Sequence, residues 1–98
     1  MKAKARIPIL VTTAKKGVFF GYVAPDTDLT RTTLRLEKAQ NCLYWSAEVK
    51  GVFGLAVTGP NENCRVGPAV PALTVHEITS VAEATPEAAR AWEAAPWK

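Results

Sequence analysis

The segment from Gly59 to Pro71, GPNENCRVGPAVP, most restricts the folds that this chain can adopt. Its three prolines fix the backbone dihedral φ and remove hydrogen-bond donors, while its two glycines permit turns that other residues do not tolerate. The segment can therefore form neither a helix nor a regular strand, yet its backbone is held in order. It also carries apolar side chains that need burial, namely Cys64, Val66, Ala69 and Val70. We expect it to pack across one end of a β-barrel or across a subunit interface, with Arg65 at its rim.

The residues before this segment have the patterns of β-strands. Residues 7–23 predict an antiparallel hairpin, in which Val18, Phe20 and Tyr22 share one face. In the next patterned run, Leu34 and Leu36 alternate with charged residues, which is typical of a half-exposed strand. The run KGVFGLAVTG is apolar but interrupted by glycines, and we interpret it as a short bent strand or a tight loop.

The residues after the segment predict one more strand and the only helix. ALTVHEITSVAE has the composition of a longer strand with a bulge near residues 76–77, because its apolar spacing departs from a period of two. Thr85 is a good helix N-cap, Pro86 suits the first helical position and Pro96 ends the helix. Trp92 shares a helix face with two alanines, and this face should dock on the sheet or on a neighbouring subunit.

These elements predict a mainly β fold, a small curved barrel or sandwich of five to seven short strands with one C-terminal helix. The length of 98 residues suits a single domain, with a β-rich body over residues 6–84 and the helix over residues 85–95. A chain of this size has a thin core, and such chains often gain stability by self-association.

The formal net charge of +3 is too small to indicate nucleic acid as a partner. Basic residues lead the chain and acidic residues dominate its end, so these segments should lie side by side or pair between subunits. We do not expect nucleic-acid binding, because no aromatic residue is interleaved with the early lysines. No apolar run approaches the roughly 20 residues of a spanning helix, so we expect no membrane association and a cytoplasmic protein. Cys42 and Cys64 are expected to be free thiols in the interior.

No pattern of catalytic or metal-binding residues is present in the sequence. One histidine and two cysteines cannot complete a four-ligand metal site within one chain. The glycine-rich run after Lys50 ends in no GK[ST] and is not a phosphate-binding loop. Neither thiol lies in the context of a known nucleophile motif. We therefore predict a protein that is not an enzyme and that needs no cofactor.

Four residues are candidates for ligand binding. Arg65 is flanked by turns that fix its backbone, so it could bind an anion, although a pairing with Glu62 is the simpler alternative. Tyr44 and Trp45 are adjacent rings that face opposite sides of a strand, so at most one of them is core. Lys50 would add a second cation. As interface residues we predict Trp92, Trp97 and Val70.

The motifs KGVFFGYV, NCLYWS, KGVFGLAVTGP, NCRVGPAVP and WEAAPW together resemble a family of small uncharacterised proteins of bacteria and phages, a domain of unknown function. The resemblance covers about residues 6–97. It implies a short chain, often phage-encoded and then acting in the host cytoplasm, with no catalytic residues to carry over. Several small phage proteins form compact oligomers that sequester the nucleotide signals of host immunity, so immune evasion is one function that this origin implies.

Three functions follow from these observations. The first is a homo-oligomer that binds a nucleotide or another anionic small molecule at a subunit junction, through Tyr44 or Trp45 with Lys50 and Arg65. The second is a protein-binding adaptor or inhibitor that uses exposed aromatic residues around Trp45 and Trp92. The third is a minor structural component of a phage or bacterial assembly. We favour the first, because small-ligand sites are concave and subunit junctions provide concave surfaces.

Overall fold

The computed structural model describes residues 6–14, 17–45 and 47–95. It contains six strands: β1 (Ile7–Thr13), β2 (Val18–Val23), β3 (Leu34–Tyr44), β4 (Arg65–Val66), β5 (Val70–Val75) and β6 (Ile78–Glu83). Between β3 and β4 lie a 3₁₀ turn (Ala47–Val49) and a short helix, α1 (Gly54–Val57). A C-terminal helix, α2 (Pro86–Ala94), follows β6.

The strands form one antiparallel sheet in the order β4-β3-β2-β1-β6, and β5 also pairs with β3. The predicted hairpin over residues 7–23 is confirmed, with Ile7 opposite Val23. The long strand β3 accepts β5 along its first half and β4 at its end. The predicted fold class, mainly β with one C-terminal helix, is confirmed, and the sheet is open.

The sheet curls strongly because its two ends are consecutive in the chain. Only His76 and Glu77 separate β5, which pairs with β3, from β6, which pairs with β1. Glu77 adopts a left-handed φ of +59° at this corner. Its carbonyl accepts from the Ala14 amide at 3.0 Å, which ties the corner to the end of β1. The single bulged strand predicted here is therefore wrong: the chain breaks into two strands and changes partner where the bulge was expected.

Both faces of the curled sheet are buried. Leu10 and Ile9 are neighbours in β1 and are 1% and 0% exposed, although they point to opposite faces. Leu10 belongs to a cluster that includes Phe20 and residues of both helices, whereas Ile9 belongs to a second cluster that includes Leu36. The helices cover one face, and the curl of the sheet covers the other.

Helix α2 forms as its sequence predicts and docks on the chain's own sheet. Thr85 caps it, because its hydroxyl accepts from the Ala88 amide at 3.0 Å. The Trp92 ring is completely buried. It stacks on Phe20 with 5.0 Å between ring centroids, and its Nε1 donates to the Leu55 carbonyl at 2.9 Å. The prediction of Trp92 as an exposed interface anchor is therefore wrong, since the ring fills the chain's own core.

The apolar run after Lys50 is helical, not a bent strand or a loop. Close packing requires a glycine at position 54, since a Cβ there would lie 1.4 Å from the Val49 carbonyl oxygen. This close approach folds α1 back on the 3₁₀ turn and buries Leu55 and Ala56. The strand pattern was misleading because four residues are too few to show a helical period.

The expectation that the segment from Gly59 to Pro71 forms no regular strand is wrong, because it contains β4 and the start of β5, and both pair with β3. Cys64 and Val66 are buried in the main cluster, and Gly67 donates its amide to the Asn41 carbonyl at 2.9 Å. Ala69 and Val70 are exposed in the single chain, so only a partner could bury them as expected. They lie where the segment leaves the core and starts β5.

Both cysteines are free and buried, as predicted. Burial, together with the neighbouring Cys64, raises the pKa of the Cys42 thiol to about 11, although a hydrogen bond with the Tyr44 backbone opposes the rise.

We expect the Cys42 thiol to react slowly in the folded protein. Because its ordinary pKa is 9.0, the thiolate fraction at pH 8 is about a hundredfold lower in the folded state. Alkylation at pH 8, followed by peptide mass mapping to separate the two thiols, measures the rate with and without guanidinium. Equal rates in the two conditions would contradict the burial of Cys42.

Candidate functional site

The predicted site residues Tyr44 and Arg65 lie side by side on the end of the sheet. They are partners in the β3–β4 ladder. The Tyr44 side chain is 54% exposed, and Arg65 is exposed beside it. No ion pair joins Arg65 to Glu62 or to any other residue in the described part of the chain. Arg65 and Glu62 therefore do not form the local salt bridge that was the simpler alternative.

Trp45, the next residue in the chain, lies against the core. It is half-buried and packs against the main cluster. The prediction that at most one of the two rings is core is confirmed, since Tyr44 is exposed and Trp45 is packed. We call Tyr44 and Arg65 the ring–arginine surface. It presents one aromatic ring and one guanidinium, and it is open to solvent.

Lys50 lines a groove to which the ring–arginine surface does not contribute. It is exposed, adopts a left-handed φ of +67°, and lines a groove of about 370 Å³ with residues of α1. Neither Tyr44, Trp45 nor Arg65 lines this groove. Within residues 6–14, 17–45 and 47–95, no hydrogen bond or ion pair links Lys50 to them.

The predicted interface residues differ in their exposure to solvent. Val70 is 39% exposed and remains available to a partner. Trp97 lies outside the described residues. Three further apolar side chains of the described residues are more than half exposed, and no sequence pattern predicts their exposure: Leu43, Phe53 and Val57. Phe53 and Val57 lie four residues apart at α1, which places them on one side of that helical turn.

A second candidate site lies in a cleft of about 300 Å³, which we call the bulge cleft. Its lining residues are Arg6, Tyr22, Glu37, Lys38 and Glu93. It forms where β3 bulges: Phe20 faces Gln40 while Tyr22 faces Glu37, so β3 has one residue more than β2. Lys38 sits in this bulge with a left-handed φ of +52°.

The polar groups of the bulge cleft contact one another. Arg6 Nε lies 3.1 Å from Glu37 Oε1. The Tyr22 hydroxyl donates to Glu93 Oε2, at the end of α2. Burial raises the pKa of Tyr22, and the hydrogen bond to Glu93 and its negative charge raise it further, so the phenol stays protonated. The sequence did not predict this site, because its residues come from four separate segments of the chain.

Two further features are absent from the residues that the structure describes. Among the described side chains, no group of three or more histidine, cysteine, aspartate and glutamate residues could hold a metal ion. In those same ranges, no helix has the length and apolarity that crossing a bilayer requires.

Comparisons with known proteins give a family and nothing beyond it. No curated protein matches the chain, and no solved structure matches it. A family model described as a domain of unknown function, DUF6948, matches residues 6–92. This match spans all six strands and most of α2. The chain therefore belongs to the DUF6948 family of domains of unknown function.

Proposed function

We propose that this protein is a homo-oligomer without enzymatic activity that binds a nucleotide or another anionic small molecule on the ring–arginine surface. The observation that carries the proposal is the pairing of Tyr44 with Arg65. A ring that is 54% exposed lies next to an exposed guanidinium that has no carboxylate partner in the described part of the chain. A planar base stacks on such a ring, and a phosphate accepts from such a guanidinium.

The need for a second copy follows from the openness of this surface. Small-ligand sites bury most of their ligand, whereas Tyr44 and Arg65 offer only one wall. A second copy of the chain would supply the other wall. The exposed Leu43, which is 67% exposed next to Tyr44, offers apolar area for that contact. Sequestration of a nucleotide signal by a phage-encoded protein in a host cytoplasm is the biological role that fits such a site.

The first test is molar mass by light scattering, followed by a thermal-shift screen with cyclic and linear nucleotides. A ligand at ten times its dissociation constant stabilises the folded state by about 1.4 kcal/mol, which raises Tm by roughly 5–10 °C for a domain of this size. We expect Arg65→Ala to abolish this shift. Arg90→Ala, which removes an exposed arginine of α2, is the matched control and should leave the shift unchanged.

Monomeric protein at every concentration would contradict the proposal. Growth of the particle with concentration, without a closed oligomer, would instead favour the structural-component alternative.

A protein-binding adaptor or inhibitor is the second candidate function. It is favoured by Phe53 and Val57, which are 68% and 55% exposed and lie on one side of α1. A closed oligomer that no nucleotide stabilises would favour this function. Phe53→Ser would then be the first variant to test against an identified partner.

A further inference from the structure

The proposed function does not involve the bulge cleft, although its lining residues come from several elements of the fold. The cleft belongs to the face of the sheet that α2 covers, because Tyr22 packs against the cluster that contains Trp92. Pro8, Tyr22 and Glu37 face one another across β1, β2 and β3. Arg6 precedes Pro8 by two residues and so points to the same face. The cleft is therefore a built feature of three strands and the end of a helix.

Two of the residues that line the cleft are cations, Arg6 and Lys38. Arg6 contacts Glu37 through Nε, which leaves the four N–H groups of its two terminal nitrogens for a ligand. Lys38 forms no ion pair within the described ranges, and its side chain is exposed. A guanidinium and an ammonium that line one cleft provide the donors that a carboxylate needs.

Tyr22 and Glu93 supply acceptors to the same cleft. The Tyr22 hydroxyl donates its proton to one oxygen of Glu93, so the phenol oxygen and the other carboxylate oxygen remain as acceptors. Glu93 lies in the last turn of α2, where the helix carbonyls already carry partial negative charge. No basic residue lies in this last turn. A cation bound beside Glu93 would compensate both the carboxylate and the helix end.

Lys38, which supplies one of these cations, has a strained backbone conformation. A left-handed conformation is unfavourable for a residue with a Cβ, and such residues often mark functional sites. Glycine would adopt it without strain. A lysine here is unfavourable for folding, whereas its ammonium adds charge to the cleft.

We propose that the bulge cleft binds a small zwitterion, a molecule that carries a carboxylate and an ammonium group a few bonds apart. The carboxylate binds Arg6 and Lys38, and the ammonium binds Glu93 and the Tyr22 oxygen. The lining side chains balance, with two cations against two carboxylates, so a ligand without net charge fits best. A volume of about 300 Å³ admits a molecule of amino-acid size.

The test compares probes that share one carbon skeleton. Amide chemical shifts of the ¹⁵N-labelled protein are followed during titration with 4-aminobutyrate, butyrate and butylammonium. We expect 4-aminobutyrate to shift the amides of Tyr22, Lys38 and Glu93 and to bind at least tenfold more tightly than the other two. Glycine and 6-aminohexanoate extend the comparison to shorter and longer spacings between the charges.

Variants then test which residues bind each charge of the ligand. Glu93→Gln should lower the affinity for 4-aminobutyrate to that for butyrate. Lys38→Gly should lower it at least tenfold. Lys50→Gly is the matched control, because it removes a second exposed lysine with a left-handed φ that lies outside the cleft, and it should leave the affinity unchanged.

Two results would overturn the assignment. Butyrate that binds as tightly as 4-aminobutyrate would make the cleft a site for anions alone. Amides at the cleft that respond to none of the amino acids would show that it binds no small zwitterion. Neither result depends on the ring–arginine surface, whose nucleotide screen is read independently.

Discussion

Replacing Trp92 by alanine is expected to destabilise the protein by about 3–5 kcal/mol, the range for deleting a large aromatic side chain from a core. The ring is 0% exposed, stacks on Phe20, and donates through Nε1 to the Leu55 carbonyl. The variant therefore leaves a cavity between α2 and the sheet, and it also leaves a buried carbonyl without its donor. A domain of this length has roughly 5–15 kcal/mol of total stability, so a large part of it would be lost.

Urea denaturation followed by circular dichroism measures the change in the free energy of unfolding. Phe53→Ala is the matched control, since it removes an aromatic side chain that is 68% exposed and should change stability by less than about 0.5 kcal/mol. Trp92→Phe keeps a stacked ring but loses the hydrogen bond, so it should fall between the two. A Trp92→Ala variant as stable as the Phe53→Ala control would contradict the position of the ring in the core.

Replacing Gly59 by alanine is expected to destabilise the protein by about 2–4 kcal/mol, because a left-handed backbone and a close contact act together. Gly59 has a φ of +81°, and a Cβ there would lie 2.6 Å from the Ala91 Cβ and 2.9 Å from the Ala88 carbonyl oxygen. The added methyl group would push α2 away from the start of the segment that follows Gly59.

Gly51→Ala separates the two contributions. Gly51 has a similar φ of +86°, but a Cβ there would have no heavy atom within 4 Å. Gly51→Ala should therefore destabilise the protein only through backbone strain, by about 1 kcal/mol. If both variants lose equal stability in the same urea experiment, the close packing of α2 on Gly59 is wrong and only the turn conformation requires glycine.

The two candidate sites differ in how far the sequence predicts them. Tyr44 and Trp45 stand out because large rings at the end of a patterned strand cannot both be buried. Arg65 stands out because turns flank it. The structure places Tyr44 opposite Arg65, although 20 residues separate them in the chain, and it places Lys50 in another groove. The register of the β3–β4 ladder determines whether Arg65 or Lys50 lies beside Tyr44. Sequence patterns do not predict the register between segments that are distant in the chain.

The residues of the bulge cleft could not be brought together from the sequence. Lys38 stands where the alternation of Leu34 and Leu36 would continue with an apolar residue, and Ala39 restores the apolar face one position late. This shift is a local signal of a bulge that the sequence interpretation did not use, but it does not show which side chains meet there. The bulge arises because Phe20 pairs with Gln40 while Tyr22 pairs with Glu37, a consequence of how β2 and β3 fit over the core. The contact between Tyr22 and Glu93 joins residues 71 positions apart.

Local sequence patterns predict the parts of this structure that depend on neighbouring residues. Alternating apolar residues determine the hairpin over residues 7–23, and Thr85 and Pro86 determine where α2 begins, because strand faces and helix caps depend on neighbours a few residues away. Three further features arise from tertiary packing. They are the break between β5 and β6 at His76 and Glu77, the helical conformation of α1, and the burial of Trp92 in the chain's own core. Each of these outcomes depends on which distant surface becomes available for burial, and that is settled only when the sheet curls and the helices pack on it.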